Sequence, residues 1–389
     1  MTLAGPKRKP RLLLVGIGHA NLQVLERMFA DPQPDIELIA VSMSDKHHYS
    51  GMVPGYLRGG YREDQIAFEL PKAVAAAGGN LIQSPAVSID PKEQIVVLQD
   101  GQEIRYDFAA FNIGSQAAGQ DSPGIGENAV RVKPMSQAVS LKRALVRLRD
   151  TKSREEHRVV VVGAGAAGFE VACGIAEFLD VAGRARKVSL VEASDQILSG
   201  YTGRFRRKAE KILARKGIDL HLGSRVATVH PDEVVLEDGS CISSHLTVWL
   251  TGATADPMFQ GSGLDLDERG FILVDDSLRS VSDARVFAVG DCATLANYPD
   301  TPKAGVYSVR QGAVLWRSLL AAIRGTAPPS YKPQNGFLSI LNTCDGRALL
   351  WYKGLISHGR WAWWLKDRID RGFMAKYQRL EPPPWVWGQ

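Results

Sequence analysis

Cysteine is scarce in this chain of 389 residues. The four cysteines, at positions 173, 241, 292 and 344, form neither a CxxC nor a CxxxxC motif. Their spacing gives no support to a disulfide framework, a zinc site or a dithiol redox pair, and it fits a reducing cytoplasm. The charge imbalance is also small, +5 from 47 basic and 42 acidic residues, and does not indicate nucleic-acid binding.

Long apolar runs are missing as well. No run reaches the ~18 residues needed to cross a bilayer, so any contact with a membrane is expected at its surface. The chain is nevertheless 45% apolar, which excludes a disordered protein, and its length predicts two or three domains. Glycine, in contrast, is abundant at 38 residues.

Part of this glycine lies in two turns, each between an apolar strand and an amphipathic helix. The first turn is Gly-Ile-Gly-His-Ala-Asn at residues 16–21, and the second is Gly-Ala-Gly-Ala-Ala-Gly at residues 163–168. In such a turn the first glycine permits the bend, the second lets backbone approach a pyrophosphate, and the third lets helix pack on strand. The N–H groups that begin the helix then face the phosphates. The two turns predict two dinucleotide-binding units.

The second turn is complete and the first is not. Glu192 ends the strand after the second turn, 24 residues past its last glycine, where a carboxylate bonds the ribose hydroxyls of NADH and repels the 2′-phosphate of NADPH. A solvated glutamate at a strand end is the alternative. In the first turn Asn21 replaces the third glycine, and Ser42 stands where the acid would be. Asp45 could substitute for that acid.

A further repeat surrounds the turns. The segment Val-Leu-Gln-Asp-Gly at residues 97–101 matches Val-Leu-Glu-Asp-Gly at residues 235–239, at an offset of 138 residues. Each Asp-Gly predicts a hairpin turn. Each copy then ends an apolar strand at a small-residue turn, with Gly114 in the first and Gly252 in the second. We therefore predict an α/β fold with two Rossmann-like domains, each carrying an inserted β-meander.

Late in the chain another apolar strand ends in Gly290 and Asp291. Together with the paired turns, this motif resembles the two-dinucleotide flavoprotein family, the pyridine nucleotide-disulfide oxidoreductases, over roughly residues 11–325. Glutathione reductase, type II NADH dehydrogenases and sulfide:quinone oxidoreductases belong to that family. The segments 49–55, 132–134 and 302–312 are similar to a bacterial branch near type II NADH dehydrogenases that is sometimes fused to selenophosphate synthase.

The resemblance implies a glutathione-reductase-like arrangement. It implies an FAD-binding domain formed by residues 1–125 and 275–325, an NADH-binding domain at 126–274 and a C-terminal domain at 326–389. The positions that would hold FAD are Gly16, Gly18, His19, Ala20, Ser42, Gly51, Met52, Val87, Gly114, Ser115, Gly290, Asp291, Lys303, Ala304 and Gly305. Those that would hold NADH are Gly163, Gly165, Ala166, Ala167, Glu192, Gly252 and Ala253.

Two of the implied roles concern the reaction itself. Glu170, directly after the second turn, matches the position where type II NADH dehydrogenases keep a glutamate against the nicotinamide. An ordinary acid in the first turn of a helix is the alternative. Lys303 opens the helix that this family aims at the flavin, where it would stabilise the reduced flavin. A solvated loop lysine is the alternative. His19, His47 and His48 lack spaced partners, so no metal site is predicted.

The electron acceptor is less determined. The family implies a quinone, but of the glutamines that contact quinone in type II NADH dehydrogenases only Gln311 is present, with Val306 and Arg310 nearby. One alternative is a sulfur or selenium oxidoreductase that uses a cysteine near the flavin, although a buried structural cysteine is the commoner identity. A second alternative is a redox-sensing flavoprotein without turnover.

The tail is predicted to end in an amphipathic helix. Its aromatic face has Trp361, Leu365, Ile369, Phe373 and Tyr377, with Trp364 beside the first, and its other face has Lys366, Arg368, Arg371, Lys376 and Arg379. A basic helix rich in tryptophan is typical of an interfacial membrane anchor. Docking on the flavin domain or on the second subunit of a homodimer are the alternatives.

Overall fold

The computed structural model describes residues 8–151 and 156–381. Up to residue 128 the chain alternates short strands and helices. These elements are β1 (Arg11–Val15), α1 (His19–Ala30), β2 (Glu37–Ser42), β3 (Lys46–His48), α2 (Val53–Arg58), α3 (Glu63–Ile66), β4 (Ala67–Glu69), α4 (Leu70–Ala76), β5 (Asn80–Gln83), β6 (Ala86–Asp90), β7 (Ile95–Leu98), β8 (Glu103–Arg105), β9 (Phe108–Phe111), β10 (Gln116–Ala117) and α5 (Ile125–Asn128).

The second part of the chain repeats this pattern. Its elements are β11 (Ala129–Arg131), α6 (Gln137–Asp150), β12 (His157–Val162), α7 (Ala166–Val181), β13 (Arg186–Val191), α8 (Gly203–Arg215), β14 (Ile218–His221), β15 (Val226–Val229), β16 (Glu233–Leu236), β17 (Cys241–Ser243), β18 (Leu246–Trp249) and β19 (Ala253–Thr254). The third and fourth parts contain β20 (Ile272–Val274), β21 (Val286–Ala288), β22 (Ala293–Leu295), α9 (Gly305–Arg324), β23 (Ser339–Asn342), β24 (Ala348–Tyr352), β25 (Leu355–Gly359) and α10 (Arg360–Tyr377).

Each dinucleotide turn follows the middle strand of a five-stranded parallel sheet. The first sheet has the order β21-β9-β1-β2-β5 and the second β11-β18-β12-β13-β14. The apolar strands β1 and β12 are almost wholly buried, as expected for central strands covered by helices on both faces. The predicted α/β class with two Rossmann-like units is confirmed.

The inserted meanders are also confirmed. Strands β6-β7-β8 and β15-β16-β17 form matching antiparallel sheets, each with a register shift between its first two strands. At both predicted hairpins the glycine, Gly101 or Gly239, has a φ near +85°, a conformation that L side chains rarely adopt.

The chain returns to the first sheet after the second. Strand β21 pairs in parallel with β9, and helix α9 then packs along α1. The short antiparallel pair β10–β19 connects the segments that follow the two sheets. This return brings the Gly290–Asp291 motif, at the end of β21, beside the first dinucleotide turn.

The tail forms an antiparallel sheet, β23-β24-β25, followed by α10. The predicted helix is confirmed, but its predicted aromatic face is divided. Tyr377 is buried and Phe373 is partly buried, whereas Trp361 and Trp364 are 51% and 58% exposed. The buried face instead includes a charged residue, Asp370. Within residues 8–151 and 156–381, no helix is long and apolar enough to span a bilayer.

The predicted basic face of α10 is largely paired with acids. Lys366 lies 3.0 Å from Asp370 and Arg371 lies 2.9 Å from Asp367, each within the helix. Lys376 lies 3.2 Å from Glu26 on α1. Two of these ion pairs therefore stabilise the helix itself, and the third joins it to α1. Most of the basic residues do not form an open cationic surface. The sequence missed this because the acidic partners are interspersed on the same helix or lie far away in the chain.

Candidate functional site

The first turn is held closely against the end of β9. Gly16 has a φ of +72°, and a Cβ atom added at Gly18 would come within 2.5 Å of the side-chain oxygen of Asn112. That oxygen accepts the N–H groups of Ala20 and Asn21, at 2.8 and 3.3 Å, and so caps the start of α1. Asn112, which no sequence motif indicated as a site residue, therefore fixes the turn.

Asn21 has a structural role at the position of the missing glycine. It is fully buried, and its amide nitrogen donates to the carbonyl oxygen of Gly16 at 2.7 Å and to that of Ala110 at 3.0 Å. The helix start is thus joined to two neighbouring strands by hydrogen bonds. In the complete turn, the corresponding contact is the close packing that a glycine allows.

An elongated cleft of about 320 Å³ runs along this turn. One end is formed by Ser42, Met43 and the residues just before β6, and the other by Asp291 and Gly305. The predicted FAD positions that line the cleft are Gly16, Gly18, His19, Ser42, Gly114, Ser115, Asp291 and Gly305. The cleft thus joins motifs that are up to about three-quarters of the chain apart.

The far end of the cleft is polar. The Asp291 carboxylate is 3.8 Å from the ammonium of Lys133, which donates to the Ser115 hydroxyl at 2.8 Å. Helix α9 begins here at Gly305, so its unpaired N–H groups and positive dipole end lie at the cleft. This end can stabilise a ligand group that becomes negative.

Several predicted FAD positions lie outside the lining. Val87 is 46% exposed, whereas its strand neighbour Ala86, which points to the opposite face of β6, lines the cleft. Met52 is buried in the core, and Gly51 packs on the ring of Tyr49. Ala20 takes part through its N–H group, in the Asn112 cap.

Lys303 and its neighbours face a different space. Its ammonium donates to the carbonyl oxygen of Ala293, and at 2.8 Å to the Thr294 hydroxyl, and it lies 4.1 Å from the centre of the Phe271 ring. Burial lowers its pKa to about 8. Gly290, Lys303 and Ala304 line a small separate cavity. The lysine is therefore held by strand β22 and is not in the cleft lining.

The second turn uses its three glycines differently. A Cβ atom at Gly163 would come within 2.4 Å of the Leu250 carbonyl oxygen, and one at Gly168 within 1.7 Å of the Gly163 carbonyl oxygen. A Cβ at Gly165, in contrast, would meet nothing within 4 Å. The outer glycines permit close packing, while the middle one leaves the backbone open to a ligand.

Glu192 reaches back across this turn. One carboxylate oxygen accepts the Ala164 N–H at 2.7 Å, and the other accepts both the N–H and the hydroxyl of Ser194 at 3.0 Å. Ala166 and Ala167 begin α7 beside it. The turn after β18 contains Gly252 and Ala253, which line a separate groove. A carboxylate fixed at the rim of an open glycine turn can accept hydrogen bonds from a ribose.

Glu170 is enclosed by the tail. Its Oε1 accepts the N–H of Asn342 at 2.6 Å. Burial raises its pKa to about 7, although the charge of Lys366 opposes this shift. Burial would lower the pKa of Lys366, but Glu170 and Asp370 outweigh it and raise that pKa. The glutamate can therefore gain or lose a proton near neutral pH.

Aromatic rings and the tail helix meet beside the cleft. The Phe373 ring stacks on that of Tyr49, with centroids 4.4 Å apart, and lies 5.4 Å from that of His19. The Tyr49 hydroxyl donates to Asp370 at 3.1 Å. Helix α10 therefore packs against His19 of the first turn, beside the cleft, and contributes no residue to the cleft lining. The sequence placed these residues on separate motifs and contained no pattern that could join them.

The four cysteines are not part of the cleft. None of the four, all within the described part of the chain, is in its lining. Burial raises the pKa of Cys292 to about 11, and its thiol donates to the carbonyl oxygen of Phe111. Cys173 and Cys344 are buried as well. Among the described residues, no cluster of three or more metal-ligating side chains occurs.

The chain is similar to known oxidoreductases. It is 30% identical over 246 residues to a Probable NADH dehydrogenase of Dictyostelium discoideum, covering 57% of this chain and 54% of that protein. It is 25% identical over 324 residues to the External alternative NAD(P)H-ubiquinone oxidoreductase B4, mitochondrial, of Arabidopsis thaliana, covering 75% and 55%. The chain spans about half the length of these two relatives.

The fold has solved counterparts. The structure of NDH2 from Plasmodium falciparum in complex with NADH superposes with a TM-score of 0.80 at 13% identity, covering 96% of each chain. At that identity the likeness shows the fold alone. The sequence profile described as Pyridine nucleotide-disulphide oxidoreductase matches residues 10–312, well over half of the chain. The predicted resemblance is thereby confirmed: the chain belongs to the pyridine nucleotide-disulphide oxidoreductase family.

Proposed function

We propose that this protein is an FAD-dependent NADH dehydrogenase of the type II kind, which passes electrons from NADH to a quinone-like acceptor. The observation that carries the proposal is the pairing of two different dinucleotide turns, each at the carboxyl end of the middle strand of its own parallel sheet. One lines an elongated cleft, and the other is open at Gly165 beside a fixed carboxylate. The names of the Dictyostelium and Arabidopsis relatives support the same activity.

The first cleft fits FAD. Its elongated lining combines a glycine turn for the two phosphates with Asp291 for the ribityl chain and the start of α9 for the ring. When bound, FAD supplies a ring that can accept a hydride and release electrons. Asp291 and Lys133 orient one another at that end, and the dipole of α9 favours negative charge there.

The second turn fits NADH. The open space at Gly165 allows backbone to approach a pyrophosphate, and Glu192 offers oxygens to the ribose hydroxyls. Because a carboxylate repels a 2′-phosphate, we infer a preference for NADH over NADPH. Burial raises the pKa of Glu170 to about 7, so its carboxylate can hold a proton near neutral pH while NADH is bound.

The aromatic cluster of His19, Tyr49 and Phe373 is the part of the molecule that would bind the electron acceptor. Gln311, the remaining glutamine of the family's quinone pattern, is buried, and its side-chain oxygen accepts the Gly290 N–H at 2.7 Å. It therefore serves the loop before Asp291 and is not free to bind an acceptor. A planar quinone suits stacked rings, and an Arabidopsis relative is named for ubiquinone.

We infer that the protein meets its acceptor at a membrane surface. Trp361 and Trp364 on α10 and Leu355 on the β24–β25 hairpin are 51%, 58% and 58% exposed. Two cations, Lys353 and Arg368, lie over neighbouring aromatic rings of the same subdomain. Exposed tryptophan with basic residues favours an anionic lipid interface.

Liposome sedimentation tests this surface. Replacing both exposed tryptophans with serine should abolish binding to vesicles containing anionic lipid, while NADH reduction of the flavin remains. Equal sedimentation of both proteins would contradict the lipid assignment. A monomer–dimer change in the variant, measured by light scattering, would instead assign the patch to a homodimer interface.

The central test of the function is an anaerobic titration. The purified protein should be yellow, be bleached by NADH, and be reoxidised repeatedly by a soluble quinone. A protein that binds no FAD, or whose FAD is not reduced by NADH, would overturn the proposal. Bleaching without turnover on any acceptor would favour the redox-sensing alternative. Loss of turnover on replacing all four cysteines, each by serine, would favour the sulfur or selenium alternative.

A further inference from the structure

Strand β3 brings two adjacent histidines, His47 and His48, to the cleft. The His47 ring contacts the first turn: its Nδ1 lies 2.9 Å from the carbonyl oxygen of Ile17. A carbonyl oxygen only accepts, so Nδ1 carries the hydrogen of this bond. In the neutral ring the other nitrogen, Nε2, is then an acceptor. It is buried and has no hydrogen-bond partner among the described residues.

The usual phosphate-binding cations are committed elsewhere. Lys46 lies 3.3 Å from Glu63, and Lys133 bonds Ser115 close to Asp291. The turn itself, residues 16–21, contains neither lysine nor arginine. His47 is therefore a side chain at the turn that can become a cation without giving up an existing partner.

The groups around His47 determine whether it can accept a proton. His19 on α1, with ring centroids 5.5 Å away, and His48 on the same strand would oppose a charge, and Phe68 on β4, which stacks at 4.9 Å, is uncharged. Burial, with smaller effects from these two histidines, lowers the pKa of His47 to about 3. The Ile17 carbonyl favours the charged ring. A nearby anion would add to that effect.

We propose that His47 binds the diphosphate of the cofactor and takes up one proton from solvent when the cofactor enters. This rests on the FAD-binding function proposed above. The charged ring donates through Nδ1–H to Ile17 and through Nε2–H to a phosphate oxygen, so both nitrogens gain partners. No bond between heavier atoms forms or breaks. The affinity for FAD then falls as pH rises through the pKa of the bound state.

Calorimetry tests the proton directly. FAD is titrated into the deflavinated full-length chain in two buffers with different heats of ionisation. The wild-type protein should take up a proton, up to about one per FAD, near neutral pH. His47→Gln should lose this uptake and release FAD about tenfold faster or more, because a bond to a charged group is lost. Riboflavin, which has no phosphate, should bind both proteins alike.

Two further variants complete the test. His47→Lys supplies an ammonium group at the same place and should retain FAD, which shows that the pocket still folds. His230→Gln changes an exposed histidine of the second unit and should behave as wild type. Equal proton uptake in wild type and His47→Gln would overturn the assignment of His47. The assignment would also fail if His47→Gln weakened the binding of riboflavin as much as the binding of FAD. A wild-type chain that binds no FAD would instead overturn the proposed function.

Discussion

The two dinucleotide turns have the same backbone plan and reach it by different means. In the second turn, glycines at positions 163 and 168 allow helix and strand to touch, and Gly165 stays open. In the first, Asn21 replaces the packing glycine with hydrogen bonds, and Asn112 occupies the space beside Gly18. At the third position of the motif, the first turn is thus held by buried polar bonds and the second by close packing.

This difference matches the ligands we assign. A cofactor that stays bound can lie in a cleft, and the first turn lines one, with the Phe373 ring of α10 packed beside it. A substrate that enters and leaves at each cycle needs an open approach, which Gly165 provides. The residues two positions beyond the turns differ as well: Gln23 donates to the carbonyl oxygen of Val309, whereas Glu170 can titrate.

The largest effect is expected from Gly168→Ala. Its Cβ would lie 1.7 Å from a backbone oxygen, so strand and helix must separate. We expect the free energy of unfolding to fall by about 3 kcal/mol or more, or the variant to yield no soluble protein. Gly165→Ala is the matched control, and its open surroundings predict a loss within about 1 kcal/mol. Similar denaturant midpoints for the two variants would remove the distinction between packing and open glycines.

The next effect concerns pH and Glu170. Its pKa is raised from 4.5 to about 7 in the folded chain, so the folded state binds the proton more tightly than the unfolded state. Its contribution to stability is complete below pH 4.5 and is lost as pH rises to about 7, by roughly 3 kcal/mol. Chemical denaturation at several pH values measures how the free energy of unfolding changes with pH. Glu170→Gln should reduce this pH dependence, whereas Glu127→Gln, at an exposed site, should retain it. An unchanged pH dependence of the free energy of unfolding in Glu170→Gln would contradict the claim that burial raises the pKa of Glu170.

A smaller loss is expected from Asn21→Ala. The carbonyl oxygens of Gly16 and Ala110 lose their buried donor, which costs about 1–3 kcal/mol of unfolding free energy. Asn21→Gly recreates the composition of the second turn without these bonds and should not recover the loss. Full recovery by glycine in the same denaturation experiment would show that the two turns are held in the same way.

The smallest effect is on coenzyme choice. Glu192→Ala removes the charge that repels a 2′-phosphate, and the NADH-over-NADPH ratio of kcat/KM should fall about tenfold, or 1.4 kcal/mol. Glu237→Ala, on the exposed meander, is the control and should leave the ratio unchanged. A ratio that stays constant in Glu192→Ala would remove this carboxylate from the coenzyme site.

Much of this molecule could be predicted from the sequence because its motifs are local. The turns, the Asp-Gly hairpins and the strand ending in Asp291 each depend on a few adjacent residues. The partners of those motifs are distant in the chain. Asn112 caps a helix more than 90 residues earlier, and Asn342 donates to Glu170 across 172 residues. No spacing rule predicts such contacts.

The tail shows the same limit. Apolar periodicity predicted α10 correctly, but the face that packs on the first domain includes Asp370, whose carboxylate accepts the Tyr49 hydroxyl. The ammonium of Lys303, likewise, is held by the carbonyl oxygen of Ala293. In both cases a buried polar partner, supplied by tertiary contacts, decides the orientation of the side chain.

The most direct test of the account separates the two turns in one protein. Gly165→Leu should fill the open space of the second turn, and its flavin absorbance should be reduced anaerobically by dithionite but not by NADH. That result would show that the first turn holds FAD while the second receives NADH. The assignment of the two turns would be contradicted if the Gly165→Leu protein had lost its flavin. It would also be contradicted if NADH bleached the variant's flavin at the same NADH concentration that bleaches the wild type.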